Sequence, residues 1–254
     1  MNPIITVTNQ KGGVAKTTTS ISIAHGLAHP EPGHGAHSVV LVDLDQQGQC
    51  AIGLGQPPRS GVFDYLVGDL MLYNCLIATG RINLDLLPGN SRTKHADLIF
   101  RNEAGGFDDL CAKLRFVADL GVLVLDTPTA GLLQEAALRI ADVVVIPARC
   151  ETLSVDSVHA TLGLASRLNP DARQIILPTM FDKRLREHEY NLNILRDLAR
   201  DAVGVTVAAP IPARVAVAEA AADGRTIWEH NDPALIVVRD AYYALLSSIH
   251  AQVF

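Results

Sequence analysis

Short aliphatic runs, each closed by a polar or glycine-rich turn, alternate along this chain with stretches whose apolar residues recur at helical spacing. Ile4, Ile5 and Val7 make the first run, and VVLV at 39–42, VLVL at 122–125 and VVVI at 143–146 repeat the theme. Continuous rather than alternating apolar character is expected of parallel strands covered on both faces. Further strands are predicted at 82–87, 174–177 and 205–208, with Pro147 stopping the strand at 143–146. Helices are predicted at 17–28, 61–69, 107–118, 132–140, 153–168, 186–201, 215–222 and 233–251. In the first of them Ile21, Ala24 and Ala28 share one side, with Ile23 and Leu27 beside them. No repeat or linker interrupts the alternation. The pattern predicts one α/β domain over 1–254, a mainly parallel twisted sheet flanked by helices on both faces.

Composition narrows this picture. A chain of 254 residues, 48% hydrophobic, can bury one large core. It holds no apolar stretch of the length that spans a bilayer, so no transmembrane helix is expected. The first strand begins at Ile4, leaving no room for a signal peptide. Cys50, Cys75, Cys111 and Cys150 are far apart and lack C-x-x-C spacing, which predicts a reduced, cytoplasmic setting without a zinc site or cluster. His29, His34 and His37 lie in a Pro- and Gly-rich loop at 29–38. No carboxylate or thiol completes a ligand set there, so a solvated surface loop is expected. The net charge of −6 excludes a bulk electrostatic attraction to nucleic acid and requires any DNA contact to come from a local patch.

The candidate chemistry follows the first strand. Asn9-Gln10-Lys11-Gly12-Gly13-Val14-Ala15-Lys16-Thr17-Thr18 joins a strand, a glycine turn and a helix start. Glycines let backbone approach an anion closely, and the first helical N–H groups are unpaired and carry the positive end of the dipole. Residues 11–18 therefore read as a cradle for phosphates, with Lys16 reaching the β- and γ-phosphates and the Thr17 hydroxyl on Mg²⁺. Asp43 and Asp45 follow the second predicted strand, and Asp126 ends the fourth. Ligands of open α/β sheets sit beyond the carboxyl ends of the strands, so these carboxylates can converge on one nucleotide. Asp126 and Asp43 then belong near the metal, and Asp45 is placed to orient the attacking water.

The pattern G-x-x-x-x-G-K-[ST] fails at Gln10 and Ala15, but Lys-Gly-Gly-x-x-Lys-Thr fits. That form resembles the deviant Walker A box of the ParA/MinD ATPases, whose first lysine, here Lys11, reaches the partner subunit's nucleotide. The stretch from Val42 to Gln49 resembles the D-x-D-P-Q-G-N box of ParA proteins, with Gln46 for its proline and Gln49 for its asparagine. Asp126-Thr127-Pro128 resembles the family's Walker B end, and Thr129 stands for its second proline. The segments Gly61-Val62-Phe63-Asp64-Tyr65-Leu66 and Leu86-Leu87-Pro88-Gly89-Asn90 match further landmarks, and Ile211-Pro212 through Ala220 resembles the late loop that touches adenine. The resemblance is to the short, chromosomal-type ParA/Soj proteins, with no DNA-binding extension before the first strand.

This resemblance implies a P-loop NTPase fold, ATP and Mg²⁺ as cofactors, and a homodimer that sandwiches ATP. It implies non-specific binding of double-stranded DNA by that dimer, and slow hydrolysis stimulated by a ParB-type partner in the cytoplasm, on the nucleoid. It places Lys183, Arg184 and Arg186 at the DNA surface, Arg184 matching the family's DNA-contacting arginine. The second such arginine is replaced by Ala213. Arg214, one step on, takes either the DNA role or the adenine-facing place that asparagine usually fills, beside Pro212. From residue 151 onward ten Lys and Arg face thirteen Asp and Glu, so only a folded patch can attract phosphates. Two relatives in function stay open: a MinD-like regulator cycling on membranes, and a ParA-like ATPase that positions a protein cargo. The first needs a basic amphipathic C-terminal helix, whereas the tail from 234 has only Arg239 and His250 as basic groups. Leu235, Ile236, Val237, Leu245 and Leu246 are expected to pack into the core there.

Overall fold

A computed structural model describes residues 2–29, 36–57, 59–68 and 70–254, with the backbone alone at 153. In chain order the elements up to the middle of the sheet are β1 (Ile4–Val7), α1 (Lys16–Ala28), β2 (Val39–Asp43), α2 (Gln49–Gly53), α3 (Val62–Leu66), α4 (Leu72–Cys75), β3 (Ile77–Ala78), β4 (Leu84–Leu87), α5 (Thr93–Asn102), α6 (Gly106–Val117) and β5 (Val122–Asp126). There follow α7 (Leu132–Ile140), β6 (Val143–Arg149), α8 (Thr152–Leu168), β7 (Arg173–Thr179), α9 (Arg186–Arg200), β8 (Val205–Val207), α10 (Val215–Ala222) and α11 (Ile236–Val253). The eight strands run in the order β3-β4-β2-β5-β1-β6-β7-β8. Among the described residues only β3 is antiparallel to its neighbour.

Alternate residues of the strands feed two faces, as pleating requires. Ile5, Val7 and Leu41 pack with Tyr242, Leu245 and Leu246 under α1, α10 and α11. Ile4, Val40, Leu123 and Leu125 point the other way, into residues of α5, α6 and α7. Val144, Ile146 and Ile176 extend that second face beneath α8 and α9. Both faces are covered and buried, which is why the strands read as continuous apolar runs.

The structure differs from the sequence pattern where tertiary contacts decide. β6 runs through Pro147 to Arg149, because Pro147 sits opposite Leu177 in a parallel ladder and its carbonyl accepts from the Asn9 side chain. β4 starts at Leu84, and Ile82 is left exposed in the preceding turn. Four short or polar elements (α2, α4, β3 and α5) add to those predicted, so Asp126 closes the fifth strand in sequence rather than the fourth. The predicted helix at 61–69 contracts to α3, and residue 69 lies outside the described residues. In the tail Leu235, Leu245 and Leu246 are buried as expected, but Ile236 and Val237 are about half exposed. His37 stacks on Phe254 at 4.2 Å and His29 meets His25 edge-on, so these two are packed rather than solvated; His34 lies outside the described residues.

Candidate functional site

The phosphate loop hangs between the end of β1 and the start of α1, at the carboxyl edge of the sheet. Asn9, fully buried, fixes its first turn: its Oδ1 accepts the Lys11 N–H at 2.9 Å and its Nδ2 donates to Pro147 O at 2.8 Å. The Val14 carbonyl accepts from Thr179 Oγ1 at 3.1 Å. Gly13 has φ +70°, and Ala15, the N-cap of α1, has φ +68°. A side chain in that left-handed region costs about 1 kcal/mol, so Ala15 holds the turn at some strain where glycine would not. Nothing lies within 4 Å of a Cβ built on Gly12 or Gly13, so the outer side of the loop is open to a ligand.

Lys16 arches back over the loop and its Nζ donates to Lys11 O at 3.0 Å. Burial pushes its pKa down, against the nearby charges of Asp126 and Asp45. A partly desolvated ammonium of this kind gains strongly from an incoming anion. The Thr17 hydroxyl donates to Asp126 Oδ2 at 2.7 Å, and Ser20, one turn on, donates to Oδ1 at 2.8 Å. Asp43 and Asp126 are paired residues on the adjacent strands β2 and β5. Burial pushes both carboxyls well above the usual range, and the charge of Asp126 raises Asp43 further. Asp126 rises less, because hydroxyls from Thr17 and Ser20 and the thiol of Cys50 donate to it. Asp43 accepts the backbone N–H groups of Asp45 and Cys50, both at 3.0 Å.

Two buried carboxylates and a hydroxyl form an oxygen set that suits a hard divalent cation beside a polyphosphate. Asp45 stands half-buried just beyond, caps the turn at Gln47 N, and reaches Lys16 electrostatically. Gly89 explains why the 86–90 landmark lies here: a Cβ on it would fall 2.4 Å from Asp45 O and 2.6 Å from Asp43 O. The aspartate loop can therefore close on this turn only where a side chain is missing.

Lys11 leaves the cradle. Its Nζ donates to Ser154 Oγ at 3.0 Å, at the start of α8, with Glu151 at 3.9 Å. Pro212 and Arg214 line a cavity of about 160 Å³ together with Ala15 and Thr18, placing the late loop directly beside the phosphate loop. Lys183, Arg184 and Arg186 are exposed on the turn after β7 and the first residue of α9, apart from the cradle. Arg184 is clamped by Asp182, through Nε at 2.9 Å and Nη2 at 2.6 Å. Sequence reasoning passed over Asn9, Ser20, Ser154 and Cys50. Two of them left a trace: Asn9 opens the run that marks the loop, and Ser20 lies three residues after Thr17 on the same helix face.

Residues 2–175 match an AAA-domain family. The sporulation initiation inhibitor protein Soj of Bacillus subtilis is 32% identical, the match covering 89% of this chain and 90% of Soj. The chain belongs to the ParA/Soj-type partition ATPase family. A second family member, the chromosome partitioning protein ParA of Myxococcus xanthus, is 35% identical over 71% of this chain and 66% of its own length. Among solved structures, cobyrinic acid a,c-diamide synthase from Mycobacterium smegmatis with bound ADP and magnesium is 30% identical with a TM-score of 0.76, covering 100% of this chain and 98% of that one. The family's P-loop fold is thus the frame in which Lys16, Thr17, Asp43 and Asp126 meet.

Proposed function

We propose that this protein is an ATP-dependent DNA-partition ATPase that works as a nucleotide-sandwich dimer. The observation that carries the reading is the meeting of Thr17, Asp126 and Asp43 beneath an open phosphate loop roofed by Lys16. The M. smegmatis relative, solved with ADP and with an ATP analogue, each with magnesium, supports ATP and Mg²⁺ as the occupants. Thr17, Asp43 and Asp126 would hold Mg²⁺, directly or through water. The ion supplies neutralisation of charge on the transferring phosphoryl group. The amides of Gly12, Gly13, Val14, Ala15, Lys16, Thr17 and Thr18 cradle the phosphates, and Lys16 follows the β/γ bridge. Asp45 orients a water that attacks the γ-phosphorus as the bond to ADP breaks, releasing inorganic phosphate.

Lys11 gives the cycle its switch. It leaves Ser154 and reaches the partner's phosphates, so the triphosphate selects the paired state. Pairing doubles the exposed Lys183, Arg184 and Arg186 surface, and two weak patches on one body retain DNA where one does not. A ParB-type protein accelerates hydrolysis and frees the DNA, on the nucleoid in the cytoplasm. Membrane cycling loses its footing in α11, whose Val238, Tyr242, Leu245, Leu246 and Ile249 are committed to the core. Among the described residues no helix is long and apolar enough to cross a membrane.

The deciding experiment measures DNA retention without nucleotide, with ADP and with ATP, for the wild type and Lys11→Ala. Retention is expected with ATP alone, and the variant should lose it while still binding ATP. Equal retention in all three states overturns the reading.

A further inference from the structure

A cavity joins the late loop to the phosphate loop, with Ala15 and Thr18 on that side, so a base whose phosphates occupy the cradle can lie in it. Its side chains differ from the amide that matches adenine. Among the described residues lining it, the polar side chains are Thr18, Thr179, Arg214 and Tyr242. Thr179 is occupied with the Val14 carbonyl, and the Tyr242 hydroxyl is paired with Thr19 at 3.2 Å. Among the described residues no carboxamide or carboxylate side chain lines it. That leaves Thr18, a short hydroxyl on the phosphate-loop side, and Arg214, the long side chain able to address a base edge, which is exposed and spends one donor, from Nη1, on the Ala213 carbonyl at 2.7 Å.

A guanidinium only donates. Adenine presents an N6 amine, itself a donor, beside the N7 acceptor, and an amide side chain matches that pair. Guanine presents two acceptors, O6 and N7, which match an arginine. Arg214 facing adenine sets donor against donor at N6, whereas facing a 6-keto purine it satisfies both atoms. We propose that Arg214 makes this a base-permissive site that accepts guanosine triphosphate alongside adenosine triphosphate. The inference rests on the nucleotide reading above and adds the identity of the base to it.

Isothermal titration with Mg²⁺ and the non-hydrolysable analogues of ATP, GTP and CTP tests it on the wild type and on Arg214→Asn. The substitution is on the surface and leaves the phosphate loop intact. Expected is a GTP analogue binding within about tenfold of the ATP analogue, with CTP weaker than both. Arg214→Asn should shift the ratio toward ATP by about tenfold or more, the discrimination of one bidentate base contact. A gap wider than tenfold against the GTP analogue in the wild type overturns the proposal, as does a ratio that Arg214→Asn leaves unchanged. CTP binding as tightly as the purines also sinks it, because the pocket would then ignore the base. Binding of the ATP analogue alone defeats this inference and spares the nucleotide reading; binding of none defeats both.

Discussion

Single side chains carry most of the local chemistry, and they differ in how readily a sequence gives them away. Lys16 and Thr17 follow a strand and two glycines at fixed spacing, so backbone geometry alone puts them at a helix N-terminus. Cys50 touches Asp126 only because α2 closes on β5, and no spacing encodes that. Ala15 is the residue where local rule and observed conformation disagree. Its φ of +68° predicts that Ala15→Gly stabilises the fold by up to about 1 kcal/mol, since the relief of left-handed strain exceeds the added freedom of glycine in the unfolded chain. Urea unfolding at unchanged m-value checks this; a fall in midpoint would mean that the Ala15 methyl contributes more by packing in the cavity it lines with Arg214 than it costs in strain.

Among elements, α1 does two jobs. Its first turn meets the aspartates, and its last turn buries His25, whose Nδ1 pairs with Thr226 Oγ1 at 2.7 Å. Burial pushes the His25 pKa down to about 4; Arg81 and His29 add to the shift and Glu229 opposes it. The unfolded chain therefore binds more protons than the folded one between about pH 6.5 and 4. Stability from this group is full above pH 6.5 and is lost as pH falls toward 4, by up to about 3 kcal/mol. His25→Asn, which keeps a polar partner for Thr226, should flatten the fall of the denaturation midpoint over that window. The elements missed from sequence share a cause. In α5 the buried residues Thr93, Ala96 and Phe100 keep helical spacing, but only Phe100 is strongly apolar, and β3 is two residues long. Such segments are recruited by neighbours rather than by their own pattern.

For the whole molecule the proposed function raises the question of how an anionic protein would hold DNA. The patch proposed here is small, and in the isolated chain its central arginine is already neutralised by Asp182. In the proposed role, DNA phosphate would displace that carboxylate. Arg184→Glu should weaken ATP-dependent retention and lower the salt slope by about one per arginine removed, with ATP binding unchanged. Asp182→Asn should do the opposite and retain DNA at higher salt. If neither substitution moves retention, the DNA surface lies elsewhere on the molecule.

Taken alone, the sequence determined the α/β alternation, the strands of the sheet's centre and the residues of the phosphate loop, because hydrophobic period and glycine spacing act over a few residues. Tertiary structure alone decided that β1 lies between β5 and β6, that Asp43 faces Asp126 across adjacent strands, that Lys11 rests on Ser154 and that Arg214 lines a cavity with Ala15. Each of those contacts joins segments far apart in the chain, and only the packing of both sheet faces, summed over the whole core, sets their distance.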